Sequence, residues 1–391
     1  MRVLLDVSAV PARPVGAGNY TVALAGGLAT HSEVDLHLLT RTDDEARWNT
    51  IAPGAEIHGA APARRPARLA WEQARGASVA KRVRPDVWHG PHYTMPMGFG
   101  PTGFGPMGFG PLHTNVPCVV TVHDLTFFDH PEWHERTKVA FFRRMIRASA
   151  RRAAVVVCVS EYTAERLRTL VHPRAFVTVA HHGVDHDRFD AHGDEAADLA
   201  TLAVHGIEPP YIAFASTIEP RKNVPTLVRA FARVAANRPE LRLVLAGSDG
   251  WGAREVRDAI TTSGIATQVI RPGYLADEAI APFFRRAEVV AYPSYEEGFG
   301  LPALEGLACG APVVTSQGSA LSEVVGDAAL TVAPDDPNAL AGAITSILDD
   351  PTVGARLRAA GPRRAAQFTW ERCVDEHVDA YQHAIGAGVP S

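Results

Sequence analysis

Pro293-Ser294-Tyr295-Glu296-Glu297-Gly298-Phe299-Gly300-Leu301-Pro302-Ala303-Leu304-Glu305 is the stretch on which the reading of this chain turns. Residues 287–291 just before it form a short apolar run with two valines, the pattern of a buried parallel strand. Residues 302–307 just after it read as a helix start, with Pro302 at the first helical position, where a missing N–H costs nothing. Between them Gly298 and Gly300 let backbone N–H groups approach a ligand closely. A strand, a glycine loop and a helix N-terminus together form the place where an open α/β sheet binds ligands. Glu297 in the loop and Glu305 on the helix suit the hydroxyls of a sugar or ribose, because carboxylates repel phosphate.

Working outward, strand-like and helix-like runs alternate along the whole chain, which predicts parallel α/β architecture. In the first half, strands are expected at 2–7, 34–40, 86–89, 116–122, 155–160 and 176–180, with helices near 19–28, 68–84 and 138–152. The second half repeats the scheme, with strands at 211–215, 241–246, 269–272, 287–291 and 312–315. Its helices are expected at 224–236, 254–263, 277–286, 338–348, 353–368 and 370–385. A polar, Ala-rich span between the two series reads as a junction. The resulting division is residues 1–187, a linker region at 188–208, residues 209–369, and a last segment, 370–391.

A chain of 391 residues, 46% hydrophobic and 21% charged, is long enough for two cores of domain size. A net charge of -5 argues against general nucleic-acid binding. Cys118, Cys158, Cys309 and Cys373 are widely spaced without a C-x-x-C pattern, so buried free thiols in a reducing cytosol are expected. The N-terminal apolar run is short and interrupted by charge, which reads as a first strand and not a signal peptide, and no apolar stretch has the ~20 residues a membrane span needs.

Two further motifs carry chemistry. Glu219-Pro220-Arg221-Lys222-Asn223 follows one strand and precedes a helix, so it lies at the same carboxyl edge as the glutamate loop. Adjacent Arg and Lys there offer two positive charges, one of them a fork that grips two oxygens at once, which suits a diphosphate. An Arg-Lys pair alone is more often a solvated basic turn; its placement beside the glutamates favours function. His123-Asp124 ends a strand, where a helix cap or buried hydrogen-bonded pair is the ordinary outcome. Gly16 and Gly18 by themselves are weak, since a dinucleotide fingerprint wants a third glycine where Thr21 stands.

Glu219-Pro220-Arg221-Lys222-Asn223, followed some seventy residues later by the opening stretch and its continuation through Cys309-Gly310, resembles the retaining glycosyltransferases of family four. The resemblance extends to 15–20, 122–124, 159–161, 182–185 and 368–371, and within the family it is closest to mannosyltransferases of surface-polysaccharide or glycolipid assembly. It implies the GT-B fold: two Rossmann-like domains facing across a cleft, a first on the acceptor side, a second binding the nucleotide-sugar, and a C-terminal helix packing back on the first. It also implies that Arg221 and Lys222 hold the donor's phosphates. Glu305 would take the ribose hydroxyls and Glu297 those of the sugar, with backbone N–H groups of Gly298, Phe299, Gly300 and Leu301 around them. Gly16 and Gly18 would approach the diphosphate, His123 would stand near the sugar and the attacking hydroxyl, and Glu219 would be an accessory partner. Many relatives carry Gly-Arg where this chain has Ala215-Ser216, so one phosphate-binding cation is missing or supplied elsewhere.

The expected activity is transfer of a hexose, mannose favoured, from a nucleotide diphosphate-sugar, GDP-mannose favoured, to a hydroxyl of a glycan or lipid-linked acceptor. A silent nucleotide-sugar binder and a GT-B epimerase or phosphorylase are the alternatives. No metal is expected: adjacent His181 and His182 point to opposite faces of an extended strand, and no Asp-x-Asp pair suits Mg²⁺. A cytoplasmic setting follows, at the inner membrane face if the basic helix near 136–152, with seven Lys and Arg and no acid, contacts anionic lipid. An ordinary amphipathic helix packed on its own sheet is the favoured reading of that segment. Residues 97–111 are three pentapeptides, MGFGP, TGFGP and MGFGP, too rich in Gly and Pro for helix or strand. A duplicated surface loop is favoured there over an apolar contact through Phe99, Phe104 and Phe109.

Overall fold

The computed structural model describes residues 1–97 and 115–387; the pentapeptide repeat beyond Met97 lies outside them. The chain divides into two compact units, Met1–Gly183 with Trp370–Ser391, and Val184–Thr369. Each is built on one parallel sheet, as the alternating pattern predicts.

The first sheet has strands β1 (Arg2–Asp6), β2 (Asp35–Arg41), β3 (Glu56–Ala61), β4 (Val87–Gly90), β5 (Cys118–Val122), β6 (Val155–Cys158) and β7 (Phe176–Val179), in the order β3-β2-β1-β4-β5-β6-β7. Its central strands are buried on both faces, which is why they read as unbroken apolar runs. Val3 and Leu5 point into one core with Leu38, Val119 and Val157, while Leu4 points into the other with Leu39, Val120 and Val156. The helix Trp370–Gly386 belongs to this unit and adds Cys373, Val374, Val378 and Tyr381 to the first of these cores. Its polar groups are satisfied inside: Tyr381 Oη lies 2.7 Å from His89 Nδ1, and His377 Nε2 lies 2.8 Å from Tyr20 Oη. His89 and Tyr20 both reach Thr121 Oγ1, each at 2.8 Å, so the helix is tied to β5 through a closed hydrogen-bond chain.

The second sheet has strands β8 (Tyr211–Ala215), β9 (Arg242–Ala246), β10 (Val269–Gly273), β11 (Val289–Tyr292), β12 (Val313–Ser316) and β13 (Ala329–Val332), ordered β10-β9-β8-β11-β12-β13. The order reverses between β8 and β11, and the switch point of an open α/β sheet is where ligands bind. The loops after those two strands carry both chemical motifs of this half.

Several elements depart from the sequence expectations. Strands β3 and β13 were not anticipated. Both are edge strands, and β3 reads Glu-Ile-His-Gly-Ala-Ala, with three residues of poor strand preference. The expected linker region at 188–208 lies in the second unit and carries a helix, Glu195–Ala203, capped by Asp194, whose Oδ1 accepts from Ala197 N at 2.8 Å. Asp198 on this helix accepts from Arg285 Nε at 2.9 Å and Arg286 Nε at 2.7 Å, which anchors the segment to the helix Asp277–Arg285. The four cysteines are free and buried. Among the described residues, no helix is long and apolar enough to cross a membrane.

The basic helix is Arg136–Arg152, and it buries Val139, Met145, Ile146, Ser149 and Ala150 against its own unit. Arg143 donates to the carbonyls of Phe127 and Phe128, and Arg147 lies over the Phe128 ring. The apolar stripe and part of the charge are therefore used within the fold.

Candidate active site

Local chain geometry builds the site from two loops. After β8, Pro220–Lys222 makes one turn of 3₁₀ helix, with Lys222 N donating to Glu219 O at 3.0 Å. Asn223 then takes a left-handed conformation, φ 53°, and starts the helix Val224–Ala235. Asn is among the residues that tolerate this conformation. Its buried Nδ2 donates to Pro293 O at 3.1 Å and Pro334 O at 2.7 Å, joining this turn to the opening stretch. Tyr295 N donates to Arg221 O at 2.9 Å and completes the join.

After β11, residues 293–300 run as an irregular loop into the helix Leu301–Ala308. Gly300 sits at its N-cap with φ 111°, a conformation open to glycine, and a Cβ there would lie 2.5 Å from Leu321 Cδ2. Pro302 is therefore the second helical residue, one position later than the sequence suggested. The first turn itself carries no acidic side chain.

The two loops bring Arg221, Lys222 and Glu297 into one buried cluster. Lys222 Nζ donates to Glu297 Oε1 at 2.6 Å, and Arg221 Nη1 donates to the other oxygen, Glu297 Oε2. Arg221 Nη1 also reaches Glu296 O at 3.0 Å, and its Nη2 lies 3.9 Å from Glu219 Oε2. Lys222 further donates to Tyr292 Oη and stands over that ring, 4.9 Å from its centroid. Burial by itself would raise the Glu297 carboxyl, but Arg221 and then Lys222 overcome it and hold it well below the usual carboxylate range. Burial pushes the Lys222 ammonium down, and Arg221 beside it acts the same way, against the pull of Glu297. Both cations converge on the Glu297 carboxylate, with Glu219 farther from Arg221, so their N–H groups are pre-organised to receive an anionic ligand.

Glu305 stands apart, on the helix, and is partly buried. Burial raises its carboxyl to about 7, Arg188 opposes and Asp277 adds to the rise. With a folded value above the ordinary one, the folded state binds the extra proton between about pH 4.5 and 7, and Glu305 costs stability above that window. Glu305→Gln is expected to melt higher than the wild type at pH 8, with the gain shrinking toward zero by pH 5. Melting curves across that range check it, and a gain independent of pH would contradict it.

In the first unit, Gly16 is the N-cap of the helix Ala17–Thr30 with φ 51°, and a Cβ on Gly18 would meet Pro14 Cβ at 3.0 Å. Thr21 is no ligand group: its Oγ1 donates to Ala17 O at 2.9 Å inside the helix. Asp124 is taken up by a local turn, its Oδ1 accepting from Thr126 N at 3.1 Å and Thr126 Oγ1 at 2.8 Å. His123 is different. Its Nε2 donates to Pro91 O at 2.8 Å, which fixes the proton there, and burial lowers its affinity for a second proton. Nδ1 is left buried with no hydrogen-bond partner among the described residues. An unpaired buried acceptor is costly and marks a place where a donor hydroxyl fits.

The structure thus joins Arg221, Lys222, Glu219 and Glu297, with Gly298, Phe299, Gly300 and Leu301 in the adjoining loop and helix start. Tyr292 and Asn223 were missed as site residues. The second was visible in the quoted motif, and the first stands immediately before Pro293 at the end of a buried strand.

Comparison with known proteins gives the family. A family model described as "Glycosyl transferases group 1" matches residues 202–364, and one described as "Glycosyltransferase Family 4" matches residues 14–188. The fold is the GT-B class, and the chain belongs to the group 1, family 4 type of glycosyltransferases. It is 29% identical over 323 residues to the O-antigen chain mannosyltransferase B of Escherichia coli, covering 81% of this chain and 77% of that protein. Among solved structures, sucrose-phosphate synthase from Thermosynechococcus elongatus superposes with a TM-score of 0.77 at 22% identity, covering 99% of this chain and 100% of the other. Anabaena HepE in complex with UDP-glucose gives 0.74 at 19% identity, covering 98% and 99%. At these identities the two structures speak for the fold alone.

Proposed function

We propose that this glycosyltransferase moves a hexose, mannose in the first instance, from GDP-mannose to a hydroxyl of a glycan or lipid-linked acceptor with retention of configuration. The observation that carries the donor half is the buried cluster of Arg221, Lys222 and Glu297, where two cations share one carboxylate at a sheet switch point. In the proposed reaction the C1–O bond to the diphosphate breaks while Arg221 and Lys222 take up the charge that develops on the leaving phosphate. The acceptor oxygen attacks C1 from the same face, and its proton passes to the departing phosphate oxygen. Glu297 holds sugar hydroxyls and Glu305 the ribose, with backbone N–H groups at the start of the helix Leu301–Ala308 around them. Roles for His123, Gly16 and Gly18, carried by the first unit, rest on the motif resemblance, and for His123 also on its unpartnered Nδ1. No metal is assigned to the phosphates, since the two side-chain cations and the helix dipole supply positive charge.

Mannose is favoured by the Escherichia coli relative. A UDP-sugar donor is the second reading. Proton NMR of the protein with GDP-mannose or UDP-glucose and simple alkyl glycosides separates these and tests the stereochemistry. The expected result is a first-formed product with the donor's anomeric configuration, made from GDP-mannose. An inverted product would overturn the mechanism. An epimerised donor without acceptor, or a sugar phosphate formed with inorganic phosphate, would replace transfer with the corresponding alternative.

A further inference from the structure

We propose that His37, Glu56 and His58 form a binding site for a divalent transition cation of the zinc type at the outer edge of the first sheet. The site is independent of the donor chemistry. The parallel register places His37 opposite Glu56 and Leu39 opposite His58, so residues 37, 56 and 58 share one face of strands β2 and β3. His37 Nδ1 and His58 Nε2 lie 2.9 Å apart with their rings nearly parallel. Glu56 Oε2 lies 3.6 Å from His37 Nδ1, and Glu56 Oε1 lies 3.6 Å from His58 Nε2. Ligand atoms around a tetrahedral zinc with bonds near 2.0–2.1 Å are separated by about 3.3 Å, so shifts of a few tenths of an ångström complete the triangle. Two imidazoles and a carboxylate are the donor set that zinc takes with one position left to water.

The surroundings of His37 support ligation over a simple contact between rings. Asp35 Oδ1 lies 3.5 Å from His37 Nε2 and is itself held by Arg2 Nε at 2.9 Å through Oδ2. A carboxylate behind the second ring nitrogen orients a metal-binding histidine and raises its basicity.

The site lies at the amino ends of these strands, whereas His123 follows the carboxyl end of β5, so the cation takes no part in transfer. Strand β3 is an edge strand that ends in Gly59, Ala60 and Ala61, and a metal bridging it to β2 would fix that edge. In the full-length protein treated with a chelator, ZnSO₄ alone is expected to bind at one equivalent by calorimetry and to raise the thermal midpoint by several degrees. Co²⁺ should give the visible absorption of a tetrahedral site. Glu56→Gln, an exposed position that leaves folding intact, and His58→Gln should each weaken binding by at least about tenfold. Absence of a bound equivalent, binding unchanged in both variants, or an equal effect of Mg²⁺ would each overturn the assignment. In that event the two histidines form only a ring-to-ring hydrogen bond.

Discussion

Lys222→Ala is expected to lower the rate of sugar transfer by about two to three orders of magnitude while the protein stays folded, because it removes one pre-organised donor from the leaving phosphate. The fold should tolerate the change. Lys222 is only 6% exposed, and its removal relieves the cost of burying an ammonium. Glu297 also keeps its bond from Arg221. The wild type should lose activity on the alkaline side well below the usual lysine range, since burial and Arg221 lower the ammonium's hold on its proton. The residual activity of the variant should lack that limb. Circular dichroism and pH–rate profiles for the two proteins check this, and a variant within tenfold of wild-type rate would remove Lys222 from the site.

Glu297→Ala should abolish transfer and, unlike the lysine variant, destabilise the second unit by about 3–5 kcal/mol. Glu297 bridges Arg221 and Lys222 through its two oxygens, so its loss leaves two buried cations facing each other. Its carboxyl is held below the ordinary value, so its contribution to stability is present above about pH 4.5 and is lost only as pH falls through the lowered value. The deficit of the variant is therefore full at neutral pH and narrows in strong acid. A nucleoside diphosphate supplies the missing negative charge, so it should raise the melting temperature of the variant more than that of the wild type. An equal ligand shift in both would mean that the cations do not face the diphosphate.

The contrast between these two substitutions was not legible in the sequence, although the residues were. Adjacent Arg221 and Lys222 before a helix, and Glu297 between a strand and a glycine loop, marked the site because their types and spacing suit a donor. What the sequence did not reveal is that Glu297 bridges both cations, through contacts between residues 75 and 76 positions apart. Tyr292 and Asn223 support the cluster through Lys222 and Pro293, and such second contacts leave no periodic trace. The sheets were legible where strands are buried on both faces, as in β5 and β6, since burial forces apolar runs. They were not at β3, where an edge position relaxes that demand and glycine and alanine suffice. The helix Glu195–Ala203 was hidden in a polar span whose decisive contact, Asp198 with Arg285 and Arg286, is again long-range. The His37–Glu56–His58 triangle was hidden for the same reason, since only the register of two strands brings it together.

The central claim is that Arg221 and Lys222 hold the donor's diphosphate, and calorimetric titration of GDP and UDP into the wild type and the Arg221→Ala/Lys222→Ala double variant tests it most directly. The account predicts one bound equivalent in the wild type, with GDP preferred, and an affinity loss of at least about a hundredfold in the double variant, the sum of two charge-assisted hydrogen bonds. Equal affinity in the two proteins, or binding of neither nucleotide by the wild type, would contradict it.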